Sequence, residues 1–202
     1  MAYIEKTAFE ARVTNGPYNA LENITGVFHN GSQATEICSA GFLVKRTTQV
    51  PNEGYTGINN DNTWYMEAAA ATDLMPTAIF ACDPYQVNEV QDGNGNVFKV
   101  GANTLGLALP AGAFGTFRNI VFDGLHIYRF GEGNLSAAIS TNKFFTIANG
   151  LLVPAASAPT ADGTPYFELI GTGSFTEGAM SAFTYYDVVA KYVMADTTGG
   201  EG

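Results

Sequence analysis

Turn residues punctuate this chain every ten or so positions, and that spacing constrains its fold more than any other feature. Tyr85–Val90 and Val97–Val100 flank Asp92-Gly93-Asn94-Gly95-Asn96, and Phe117–Phe122 and Leu125–Phe130 flank Asp123-Gly124. Asp-Gly and Asn-Gly tolerate positive φ, so each pair of runs predicts a β-hairpin. Cys38–Arg46, Trp64–Glu67, Thr77–Cys82, Tyr166–Ile170 and Thr184–Val193 read as further strands, the last from its β-branched and aromatic residues. Ala8–Val13 reads as a short helix or strand, Leu21–Phe28 has mixed periodicity, and Ala68–Ala71 has helix propensity stopped by Asp73 and Pro76. Short strands joined by tight turns predict a mainly β fold, a β-sandwich or barrel.

One stretch recurs. Ile37–Val44 and Thr146–Val153 each read as a Gly-led apolar strand (Gly41, Gly150). Each is followed, after a variable loop, by D-x-T-x-Y-[M/F]-E: Asp61–Glu67 and Asp162–Glu168. This suggests two related β lobes, or one barrel from two halves, cut as 36–115 and 116–194. Residues 1–35 read either as an N-terminal arm extended onto a neighbouring subunit or as a first edge strand plus loops. Gly101–Gly115 reads as a crossover, and 195–202 as a disordered tail.

At 202 residues the chain can bury a core without disulfides or metal. Only 14% of residues are charged, against roughly 25% in an average globular chain. A surface this poor in charge suits partial cover by partners, with disorder or low solubility as the rival readings. The net charge of −10, with no Lys/Arg cluster, argues against binding to phosphate backbones. No apolar run approaches the ~18 residues of a membrane span. Met1–Lys6 lacks a secretory pattern, so synthesis in the cytoplasm is expected, with the product soluble there or leaving by a signal-independent route.

Residues with possible chemistry fall short of a motif. Asp92-x-Asn94-x-Asn96 begins like a calcium loop, but Val97 stands where Gly is needed and Asn103 where a bidentate Glu is needed. His29 and His126 are the only histidines. His126 is expected on a strand face shared with Tyr128 and Phe130, with no nucleophile elbow for it to serve. Cys38 and Cys82 are expected as small buried hydrophobes. Glu67 and Glu168 would suit glycosidase-type acid–base work only if they converged within ~5–9 Å. Gly171-x-Gly173 and Gly112-x-x-Gly115 lack phosphate-loop spacing. Asn23, Asn30 and Asn134 head N-x-[S/T] triplets, which carry meaning only on a secreted chain. Trp64, Tyr65, Tyr128 and Tyr166 are candidates for an aromatic sugar platform or for the core. No catalytic, cofactor-binding or metal-ligating residue is assigned, and no cofactor is expected.

The N-terminal segment and Thr164–Gly173 (Thr-Pro-Tyr-Phe-Glu-Leu-Ile-Gly-Thr-Gly), in an acidic Gly/Ala/Phe-rich chain, resemble the small structural proteins of tailed phages, in particular capsid decoration (cement) proteins. The resemblance is of texture and carries over no functional residue. It implies a non-enzymatic virion protein on the outer capsid surface that stabilises the shell by bridging subunits. Its partners would be the major capsid protein and further copies of itself in a homo-oligomer, often a trimer. A tail-tube or head–tail connector subunit is the alternative within that class. A β-sandwich carbohydrate-binding or host-attachment module is the alternative outside it.

Overall fold

In the computed structural model, which describes residues 6–13, 23–32, 34–50, 63–70, 73, 79–83, 87–91, 97–101, 108–175 and 183–194, strands dominate. In chain order they are β1 (Phe9–Val13), β2 (Asn23–Phe28), β3 (Cys38–Ser39), β4 (Leu43–Gln49), β5 (Thr63–Ala68), β6 (Ile79–Cys82), β7 (Val87–Gln91), β8 (Val97–Gly101), β9 (Ala108–Leu109), β10 (Gly115–Asn119), β11 (His126–Gly131), β12 (Phe144–Ala148), β13 (Leu151–Ala155), β14 (Pro165–Phe175) and β15 (Phe183–Tyr192). One 3-10 turn, Glu132–Asn134, follows β11. Five strands close into a barrel in the order β10-β2-β5-β4-β6. Six more form a sheet, β1-β11-β15-β14-β12-β13. The mainly β expectation holds, as a barrel backed by a sheet.

β6 shows how the layers meet. All four residues of Ile79-Phe80-Ala81-Cys82 are buried. Strand alternation sends Phe80 and Cys82 into the barrel with Ile24, Phe28, Phe42, Val44, Met66 and Phe117. It sends Ile79 and Ala81 the other way, onto Phe130, Phe145, Phe167 and Val188 of the sheet. β4 divides likewise, Val44 into the barrel and Leu43 toward the sheet. A strand buried on both faces must be apolar at every position, which is how Thr77–Cys82 reads in sequence. Each large side chain so buried contributes on the order of 1.5–3 kcal/mol.

Two polar links tie the layers together. The Asn134 side chain, 2% exposed, accepts from the amides of Ala8 and Gly131 (both 3.0 Å) and donates to the Ala40 carbonyl (2.7 Å). The Gly150 carbonyl accepts from the Leu43 amide, and the Gly150 amide donates to Ala69, both at 2.9 Å.

Several expectations change. Phe117–Phe122 and Leu125–Phe130 do not form a hairpin. β10 pairs with β2 and β6 in the barrel, whereas β11 pairs with β1 and β15 in the sheet. Phe117 fills the barrel, and a hairpin would pull it out. The Asp123-Gly124 turn lies instead on the connection that carries the chain from one layer to the other. Cys38–Arg46 is not one strand. Gly41, at φ +72, turns the chain between β3 and β4. The described part of the alanine run is not helical, because Ala69 is buried and its amide bonds to Leu43. Gly171-Thr172-Gly173 does not end a strand. It continues β14 beyond a register shift between Leu169 and Gly171. Asn149-Gly150, at φ +48 and +77, forms a tight two-residue hairpin between β12 and β13.

β7 and β8 pair antiparallel as expected. β1 edges the sheet and β2 is a barrel stave. The repeated stretches occupy different settings: β4 pairs with β5, whereas its counterpart β13 pairs with β12 and not with β14, the counterpart of β5. Outside the described residues lie the Asp92–Asn96 turn and its calcium reading, residues 51–62, Ala71 and Pro76, 102–107 of the crossover, 1–5 and 14–22 of the N-terminal segment, and the tail 195–202.

Candidate functional site

At one end of the sheet, the end of β15, the β10–β11 connection and the approach to β14 enclose a groove of about 640 Å³. Phe122, Pro159, Tyr166, Lys191, Tyr192 and Met194 line it. Phe122 anchors the floor. Its ring lies 4.7 Å from that of Tyr192 and 5.5 Å from that of Phe167, a core residue. Burial pushes the Tyr192 phenol upward in pKa. Met194, in the lining, is 87% exposed, and Leu125, which follows the lining residue Gly124 in the chain, is 62% exposed.

The turn that shapes this wall is fixed by one carboxylate. Asp123 accepts from the amides of Leu125 (2.8 Å) and His126 (3.1 Å) and pairs with His126 Nδ1 (2.6 Å). Gly124 completes the turn at φ +72, and its amide bonds to Ala190 of β15. The Lys191 stem runs over Gly124, where an added Cβ would lie 3.3 Å from Lys191 Cε. The Lys191 ammonium meets Glu168 at 2.5 Å, and this hydrogen bond raises the lysine pKa. Burial works against ionisation of Asp123, but the two amides and the His126 ring outweigh it and hold its carboxyl below the usual range. The Lys6 ammonium, followed by the Thr184 amide, does the same for Glu132 against a smaller burial effect. For both groups the folded pKa is depressed. Their stabilisation is therefore complete above the ordinary carboxylate range and lost as pH falls through the depressed values. Urea unfolding against pH is expected to show this acid-side loss, and Asp123→Asn should lower neutral-pH stability while flattening the acid limb.

The groove thus combines aromatic rings with charged groups, Asp123 and Lys191, that already have partners in His126 and Glu168. Comparison with models of known protein families, with curated proteins and with solved structures finds no match.

The candidate residues from the sequence disperse. Phe167 faces the barrel, so Glu168, the next residue in the strand, faces away from it. Glu67 belongs to the barrel, with its Oε1 3.6 Å from His29 Nδ1. The two carboxylates thus share no site. His29 is buried against Tyr65, and its Nδ1 lies 2.7 Å from the Asn30 carbonyl. His126 is buried on the same face as Tyr128 and Phe130, as expected. Tyr128 is wholly buried and bonds the Val121 amide. Trp64 lies under Arg46, so of the aromatic candidates Tyr166 alone lines the groove. Cys38 and Cys82 are buried free thiols in the barrel. Burial, and then the neighbouring Cys82 thiol, raise the Cys38 pKa. Gly112 and Gly115 do not cradle an anion: the first is a turn residue and the second abuts Leu109. Phe122, Tyr192 and Met194 were not singled out in sequence. Their signal is aromatic residues beside Asp123-Gly124 and an apolar end to the last strand.

Proposed function

We propose that this chain is a non-enzymatic structural protein of a tailed-phage virion, which binds the outside of the capsid and stabilises it by bridging subunits. The observation that carries this reading is the apolar groove, with Met194 exposed in its lining and Leu125 exposed next in chain to the lining residue Gly124. Large apolar side chains clustered at a groove mark a surface that a partner covers. The acidic balance suits an outward position away from packaged DNA, and the texture of the sequence points to the decoration class. The groove would take an apolar anchor of the capsid protein. Repetition over the lattice would then turn modest single contacts into avidity, so that bridged subunits no longer separate independently.

Co-sedimentation with capsids lacking this protein tests the groove. Leu125→Asp/Met194→Asp is expected to remove most particle binding without changing the fold, since both side chains project into solvent. Unchanged binding would exclude the groove as the contact. The aromatic lining also favours a second reading, a carbohydrate-binding or host-attachment module. Glycan-array binding that is lost in Tyr192→Ala would favour that one.

A further inference from the structure

The free edge of β14 marks a second interaction surface. β12 pairs with β14 only at Phe144–Glu168 and Phe145–Phe167, extended by the Leu169 amide bonding to Lys143. From Ile170 to Phe175, β14 runs on with β15 along one side and no strand along the other among the described residues. Such an edge offers unpaired backbone donors and acceptors to any extended chain. Natural edges are commonly guarded by charge or proline. Ile170-Gly171-Thr172-Gly173-Ser174-Phe175 has neither, in a chain of net charge −10. Ile170 is 51% exposed, and Thr172 and Ser174 are exposed too.

The segment is also braced from the β15 side. The Tyr185 side chain lies across Gly173, where an added Cβ would be 2.3 Å from the ring. The Arg129 guanidinium sits 3.8 Å above the Tyr185 ring and grips Asp187 through both carboxylate oxygens at 2.7 and 2.8 Å. A pre-organised edge loses little entropy when a strand is added.

We propose that β14 pairs antiparallel with β14 of a second copy, joining two six-stranded sheets into one continuous sheet. Charge argues for a second copy as the occupant. Two acidic molecules repel over most of their surfaces and approach at least cost where neither carries charge. An antiparallel pair about a two-fold axis is also self-complementary. With the axis at Gly173, Thr172 of each copy lies opposite Ser174 of the other, a favourable hydroxyl pair with no like charges. The pairing stands on the edge itself and holds whether or not the chain belongs to a virion.

Light scattering on the full chain across a concentration series tests it. The wild type is expected to approach twice 21.4 kDa as concentration rises. Thr172→Lys/Ser174→Lys, at two exposed positions, is expected to stay monomeric with an unchanged circular dichroism spectrum. Thr172→Pro, which removes an edge donor, should do the same. A wild type that stays monomeric throughout would overturn the proposal, as would an oligomer that the double lysine variant leaves intact.

Discussion

Asn134→Ala is expected to destabilise this protein more than any other single polar truncation among the described residues. Its side chain satisfies the amides of Ala8 and Gly131 and the carbonyl of Ala40. These groups come from the lead into β1, the end of β11 and the β3–β4 turn, so one residue holds the barrel's corner to the sheet. Removing it strands buried backbone groups at roughly 1–3 kcal/mol each. The expected loss is about 3–9 kcal/mol, against a total stability of about 5–15 kcal/mol for an ordinary domain. Equilibrium urea unfolding should show a large fall in midpoint. Asn134→Leu separates hydrogen bonding from volume: it refills the space and should recover little. A near-wild-type midpoint for the leucine variant would mean that packing, not hydrogen bonding, is what Asn134 supplies.

Gly150→Ala is expected to cost nearly as much for a different reason. A Cβ at that position would lie 2.1 Å from Phe42 Cζ, and Phe42 is wholly buried in the barrel. The backbone there is left-handed, at φ +77. Overpacking costs about 1–3 kcal/mol and the left-handed residue roughly 1–2 kcal/mol more, so a loss of about 2–5 kcal/mol is expected. Gly163 is the internal control. It has φ +73 but nothing within 4 Å of an added Cβ. Gly163→Ala should therefore show the backbone cost alone. A double variant, Gly150→Ala/Phe42→Leu, should lose less than the sum of its single changes, because shortening Phe42 relieves the clash. Equal losses at Gly150 and Gly163 would show that the contact with Phe42 carries no weight.

Strand identity was legible where one local pattern decided it. β5, β6, β14 and β15 announce themselves through β-branched, aromatic or continuous apolar runs, and β7–β8 through their flanking turn residues. Partnership was harder. Asp123-Gly124 looks like a hairpin turn because turn chemistry is local. Whether Phe117 belongs to the same sheet as Tyr128 depends on which cavity Phe117 fills, a property of the whole chain. Asn149-Gly150 carries a hairpin signal, but its counterpart Ala40-Gly41 turns the chain between β3 and β4, which do not pair, so the repeat conceals the hairpin. The repeat has a real local basis in the positive φ of both glycines. It does not extend to how the strands pair. The groove was hidden for a similar reason. Phe122, Tyr166 and Tyr192 are far apart in sequence, and only the crossing from barrel to sheet brings them together.

The virion reading is tested most directly by quantitative mass spectrometry of purified phage particles from the source strain. The proposed role predicts this chain in intact particles in fixed proportion to the major capsid protein. A low copy number matching a ring or tail would contradict capsid decoration and point to a tube or connector subunit. Complete absence from intact particles would contradict the virion reading altogether.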